Sequence, residues 1–129
     1  MRQAAHRLLI VEDHPIMRET YRMLFNREPS LEVAADVATA REALDVLPDL
    51  RPDLVIVDIS LPEMNGLQLV PHLRRMQPDL LILVITGHHE PHYADAAFAA
   101  GADGFIRKGN AAAILEAVYS LLNDSRPQP

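Results

Sequence analysis

Leu54-Val55-Ile56-Val57-Asp58 and Leu80-Leu81-Ile82-Leu83-Val84-Ile85-Thr86 are the stretches that decide the fold. Each is an unbroken apolar run, rich in β-branched residues, that stops at a polar side chain. A strand apolar on both faces has no side to show to water, so it belongs inside a parallel sheet covered by helices on each face. Leu8-Leu9-Ile10-Val11, ended by Glu12-Asp13, is a third run of the same kind. Longer stretches of helical period separate these runs, and the alternation predicts βαβ units. Strands are expected at Arg7 to Val11, Leu31 to Asp36, Asp53 to Val57, Leu80 to Ile85 and Gly104 to Arg107, with the first, third and fourth in the middle. The fold class is therefore α/β, a doubly wound parallel sheet.

The intervening helices carry their own punctuation. Pro15 suits a first helical position, and Met17, Tyr21, Leu24 and Phe25 follow at the spacing of one buried stripe. Thr39 to Glu42 reads as a capping box before Ala43, Leu44 and Leu47. The helix after Gly66 is expected to bury Leu69, Leu73 and Met76, and Asn110 to cap a last helix with the stripe Ile114, Val118, Leu121 and Leu122. From Pro91 to Ala100 the apolar positions other than Tyr93 and Phe98 are nearly all alanine. That fourth helix buries little area, is expected to hold the sheet weakly, and is the element most ready to shift.

Composition bounds the function. A chain of 129 residues suits one domain with a real core. No cysteine is present, which removes disulfides, thiolate catalysis and thiolate metal sites together. Leu8 to Val11 is far too short for a signal-peptide core or a spanning helix, so no membrane contact and a cytoplasmic location are expected. A formal charge of −6 argues against this segment itself gripping a nucleic-acid backbone.

Chemistry is expected where the strands end, because open parallel sheets bind ligands at the carboxyl edge. Glu12 and Asp13 follow the first strand, Asp58 the third, Thr86 the fourth and Lys108 the fifth. Carboxylates gathered at one edge need raised pKa values or a cation, and an all-oxygen set suits the hard ion Mg²⁺. Such a set can support in-line transfer of a phosphoryl group onto a carboxylate. Mg²⁺, the Lys108 ammonium and the Thr86 hydroxyl would each take one phosphoryl oxygen.

Glu12-Asp13, Val57-Asp58-Ile59-Ser60-Leu61-Pro62-Glu63-Met64-Asn65-Gly66, Thr86-Gly87 and Ala100-Gly101-Ala102-Asp103-Gly104-Phe105-Ile106-Arg107-Lys108, in this order and spacing, resemble the receiver domain of two-component response regulators over nearly the whole chain. The resemblance implies a flavodoxin-like (βα)5 fold with strand order 2-1-3-4-5. It implies Asp58 as phosphoacceptor from a sensor histidine kinase, and Mg²⁺ bound by Asp13, Asp58 and the backbone carbonyl of Ser60, with Glu12 helping through water. It also implies Thr86 and Lys108 on the phosphoryl group, and a switch in which Thr86 and Phe105 rearrange the surface of the fourth helix, fifth strand and fifth helix. On this reading the chain is not an enzyme beyond its own phosphorylation and dephosphorylation. Asp13-His14-Pro15 with Arg18, and Gly109 after Lys108, are similar to the NarL/FixJ branch, in which a receiver precedes a DNA-binding helix-turn-helix domain. DNA would then be reached only through such a domain, which these residues do not include. Residues 1–123 are assigned to the receiver and 124–129 to the start of a polar linker or tail, and homodimers on phosphorylation are conceivable.

Simpler readings exist for each residue. An acidic pair after a strand is often a solvated loop or helix cap, Asp58 alone could cap a turn, Lys108 could be a surface lysine, and Phe105 could be half-buried core. His88-His89-Glu90-Pro91-His92 suggests a transition-metal site, but Pro91 breaks the spacing that would converge the rings, and exposed loop histidines are the expectation. Two rival functions differ in kind. A Mg²⁺-dependent phosphohydrolase of the haloacid-dehalogenase type wants a carboxylate where Ser60 stands. An interaction module that signals without phosphorylation would have no need of the full acidic and basic set.

Overall fold

The protein was analysed as a computed structural model that describes residues 5–87 and 92–124. His88 to Pro91 of the histidine cluster, and the tail from residue 125, lie outside the described residues. The elements run β1 (His6–Val11), α1 (Pro15–Asn26), β2 (Leu31–Val37), α2 (Ala40–Leu50), β3 (Leu54–Asp58), α3 (Gly66–Met76), β4 (Leu81–Thr86), α4 (His92–Ala100), β5 (Gly104–Arg107) and α5 (Ala111–Asp124). All strand pairs are parallel, in the order β2-β1-β3-β4-β5. This is the expected doubly wound sheet, with the three unbroken apolar runs in its centre.

The two-residue period of the strands divides the core into two halves. Leu9, Val11, Val55, Val57, Ile82 and Val84 pack toward α2, α3 and α4, against Ala43, Leu47, Leu69, Leu73 and Ala97. Leu8, Ile10, Leu54, Ile56, Leu83 and Ile85 face α1 and α5, against Tyr21, Phe25, Ile114, Val118 and Leu122. Thr39 and Glu42 form the expected capping box on α2, and Asn65 with Gln68 forms a second one on α3. Asn110 caps α5, its Oδ1 accepting from the Ala113 N–H at 3.1 Å. That helix runs through Asp124, one residue into the segment assigned to the tail.

Two expectations need correction. Met76 is 44 % exposed rather than buried, because the inward row of α3 continues from Leu69 and Leu73 at intervals of four and reaches Gln77, not Met76. Gln77 is buried and donates from Nε2 to the Pro52 carbonyl at 2.7 Å. Asp58 and Thr86 are the last residues of β3 and β4 rather than the first beyond them, so the sheet ladder itself fixes their backbones.

At the amino edge of the sheet Arg74 ties three elements together. Its guanidinium donates to the carbonyls of Pro78 at 2.8 Å, Leu80 at 2.6 Å and Gly101 at 2.7 Å, and to Asp103 Oδ2 at 2.7 Å. Register places the carboxyl edge as tightly. Val11 lies beside Val57, Asp58 beside Ile85 and Thr86 beside Arg107, which brings the residues after β1, at the end of β3 and after β5 to one place.

Candidate functional site

The site begins with the backbone that holds it. The Glu12 N–H donates to the Val37 carbonyl at 3.0 Å, extending the β1–β2 pairing past the end of β1. The Ile59 N–H donates to the Ile85 carbonyl at 3.0 Å, and the Lys108 N–H donates to the Thr86 carbonyl at 2.8 Å. Each catalytic candidate therefore sits on, or one step beyond, a ladder that cannot slide without breaking the sheet.

Around this frame, Glu12 and Asp58 are almost completely buried, at 1 % and 2 % exposure, and their carboxylates converge on one ammonium. Lys108 Nζ donates to Asp58 Oδ2 at 3.0 Å and lies 3.1 Å from Glu12 Oε1. The contact with Glu12 is a close ion pair. Asp58 Oδ1 accepts from the Ser60 N–H at 3.1 Å, so the β3–α3 turn holds the carboxylate from the other side. Gly66 closes this turn from behind. Its N–H donates to the Ile59 carbonyl at 2.9 Å, and a Cβ there would lie 2.4 Å from the Asp58 carbonyl oxygen.

Electrostatics follow from burial. Loss of water, and then the charge of Asp58, push the Glu12 carboxyl above its ordinary range. Burial alone would lower Lys108, but its hydrogen bond and charge contact with Asp58, followed by its charge contact with Glu12, outweigh that and raise it. Lys108 is accordingly a fixed positive charge. Tyr21, on the α1 side, is pushed up to about 12, chiefly by burial.

Asp13 is less covered and stands next to His14, whose Nδ1 lies 3.3 Å from Asp13 Oδ1 and 3.4 Å from Glu12 Oε2. Glu12 Oε1 and Asp13 Oδ1 are both buried atoms that accept no hydrogen bond. Asp13 Oδ1, hidden from water without a hydrogen bond and with the Glu12 carboxylate within 4.8 Å, is what a hard cation would satisfy, so the donor set fits Mg²⁺.

The residues expected at the site are thus found at one edge. Glu12, Asp58 and Lys108 are in direct contact, Asp13 adjoins them, Ser60 holds Asp58 by its N–H, and Thr86 is joined to Lys108 through the backbone. Phe105 pairs with Val84 in the sheet and is half-buried against the α4 side of the core. Sequence reasoning gave no site role to His14, Arg18 or Gly66. His14 and Arg18 were visible only as marks of one branch, and nothing in the spacing says that Gly66 must touch the backbone of Asp58.

Comparison with known proteins agrees with this geometry. The family model described as response regulator receiver domain matches residues 8–119. The chain is 34 % identical over 102 residues to the transcriptional regulatory protein YhcZ of Bacillus subtilis, covering 79 % of this chain and 48 % of that protein. It is 36 % identical over 115 residues to the methanol utilization control regulatory protein MoxX of Paracoccus denitrificans, covering 88 % and 51 %. Among solved structures, a two-component response regulator of the LuxR family from an Aurantimonas species superposes with a TM-score of 0.89 at 34 % identity, over 97 % of this chain and 90 % of that one. The chain spans about half the length of the curated relatives it matches.

Proposed function

The chain belongs to the response regulator receiver domain family, in its NarL/FixJ-like branch, and from that premise we propose that Asp58 is its phosphoacceptor, charged by a sensor histidine kinase. The observation that carries this reading is the buried Asp58 carboxylate gripped by Lys108 Nζ at 3.0 Å and by the Ser60 N–H at 3.1 Å, at the carboxyl edge of the sheet. A carboxylate held from two sides is fixed in orientation, and fixed orientation is most of what phosphoryl transfer asks of a protein.

In the transfer, an Asp58 oxygen forms the new O–P bond as the N–P bond of the phosphoimidazole donor breaks. The departing imidazole keeps the electron pair and takes a proton from water. Lys108, held charged by its two carboxylates, follows the developing charge onto a phosphoryl oxygen, and the Thr86 hydroxyl takes another. Asp13, Asp58 and the Ser60 carbonyl would hold Mg²⁺, with Glu12 acting through water, and the ion would neutralise phosphoryl charge. Movement of Thr86 frees the space beside Phe105, and the paired rearrangement alters the face made by α4, β5 and α5. In the cell this switch would act from the cytoplasm on an attached DNA-binding domain, with homodimer formation as one means. The receiver would take in residues 1–123 and the end of α5 at Asp124, with the residues after it the start of a linker or a tail.

Intact-mass analysis after incubation with Mg²⁺ and a small acyl phosphate tests the reading. A gain of one phosphoryl group, absent from Asp58→Asn and released by hydroxylamine, is expected. Folded protein that binds Mg²⁺ yet gains no mass would instead identify a module that signals without phosphorylation.

A further inference from the structure

Arg18 lies outside the set of groups that would meet the phosphoryl group or the cation, yet it is bonded to the loop that carries them. Its Nη1 donates to the Glu12 carbonyl at 3.0 Å, and its Nε donates to Asp36 Oδ1 at 3.1 Å. The other Asp36 oxygen lies 3.3 Å from Arg22 Nε, so Asp36, at the end of β2, is itself held by two guanidinium groups on successive turns of α1. The Arg18 N–H donates to the His14 carbonyl at 2.9 Å, which fixes the first turn of the helix directly after the acidic pair.

The placement of these bonds is specific. The Glu12 N–H is held by Val37 at 3.0 Å, and the Glu12 carbonyl belongs to the peptide unit that leads into Asp13. Rotation of that peptide would swing the Asp13 carboxylate away from that of Glu12, which lies within 4.8 Å of it. Among the described residues Arg18 is the donor to this carbonyl. A guanidinium reaches the carbonyl and Asp36 at once through its fork of N–H groups, and a lysine ammonium, as a compact point charge, does not reproduce that geometry.

We propose that Arg18 is a positioning residue for the cation site, a clamp that ties the Glu12–Asp13 peptide to Asp36 and thereby sets Asp13 to receive Mg²⁺. The inference rests on the proposed Mg²⁺-dependent phosphoacceptor reading. Arg18 is a positive charge near a site for a divalent cation, and on charge alone its removal strengthens cation binding. As a clamp, its removal weakens binding, in the manner of outer-shell partners that orient metal ligands.

The test is Mg²⁺ titration of the full chain, followed by calorimetry and by amide chemical shifts at Asp13 and Asp58, for the wild type, Arg18→Gln, Arg18→Lys and Arg18→Gln combined with Asp36→Asn. Thermal unfolding in EDTA confirms that each variant is folded. The clamp predicts affinity about tenfold weaker in Arg18→Gln, a comparable loss in Arg18→Lys despite its retained charge, and little further loss in the double variant. Equal or tighter Mg²⁺ binding by folded Arg18→Gln would overturn the proposal. Should a folded variant fail to reach Mg²⁺ saturation, Mn²⁺ line broadening at Asp13 supplies the same comparison. A wild type that binds no Mg²⁺ would sink the phosphoacceptor reading itself, an outcome distinct from failure of the clamp.

Discussion

At the scale of single residues, the site is governed by what has been taken out of water. Glu12 is buried beside Asp58, so its native carboxyl keeps its proton to a higher pH than in the unfolded chain, where it titrates near 4.5. A raised carboxyl favours folding below its unfolded pKa, and that contribution is lost as pH rises through the native value. Glu12→Gln has no such loss. Its stability relative to the wild type should therefore improve between pH 4 and pH 7.5, measured by urea unfolding in EDTA, whatever the offset at either end; a constant difference would remove the burial argument. Gly66 is a second residue whose identity is forced. An added Cβ would meet the Asp58 carbonyl oxygen at 2.4 Å and the Ile59 Cα at 2.9 Å, and both are backbone atoms without a soft way to yield. Gly66→Ala should cost about 2–4 kcal/mol in urea unfolding and also slow phosphoryl uptake at Asp58, because the turn that aims the carboxylate must shift. The carboxylates and Lys108 were legible from the chain because strand ends in a parallel sheet share one edge. Gly66, His14 and Arg18 were not, since their roles depend on close approach and on where long side chains bend, which no spacing encodes.

At the scale of elements, legibility tracks burial on both faces. The runs in β1, β3 and β4 stand out because every residue is apolar, whereas β2, at the sheet edge, is mostly half-exposed and mixes Glu32 and Asp36 with small residues. A bulge between Leu8 and Leu9 in the β1–β2 pairing is likewise invisible in the sequence, because neither strand marks it with a glycine. The inward row of α3 was misread by one position, as a helical stripe seen over few turns constrains its last residue weakly. The alanine pattern of α4 was a sounder guide. Among the described residues of α4 only Ala97 is buried, and Phe98 stands 50 % exposed, so little apolar area ties the helix to the sheet. By contrast, α1 buries both Tyr21 and Phe25. Native-state hydrogen exchange should show the amides of α4 opening at a free energy about 2 kcal/mol or more below those of α1. Equal protection of the two helices would deny α4 the role of the element that moves when Asp58 is modified.

At the scale of the whole molecule, the fold concentrates charge at one edge of a chain already at −6. Glu12 and Asp58 face a single ammonium there with Asp13 beside Glu12, and register holds them together at the expense of their mutual repulsion. Stability and cation binding are then two readings of one free energy: anything that binds only the native state stabilises it by mass action. At tenfold excess over its dissociation constant, Mg²⁺ should add about 1.4 kcal/mol to the stability of the wild type. Matched ionic strength from Na⁺ should add much less, since screening acts weakly on buried groups. Asp13→Asn removes one of the repelling charges and one of the proposed ligands together. In EDTA it should be more stable than the wild type, and in Mg²⁺ that advantage should shrink or reverse, because only the wild type gains from the ion. Thermal unfolding of the two proteins with and without Mg²⁺ gives all four values. If Asp13→Asn gained as much from Mg²⁺ as the wild type, the ion would be binding elsewhere, and the carboxyl edge would be an acidic surface rather than a site built for a cation.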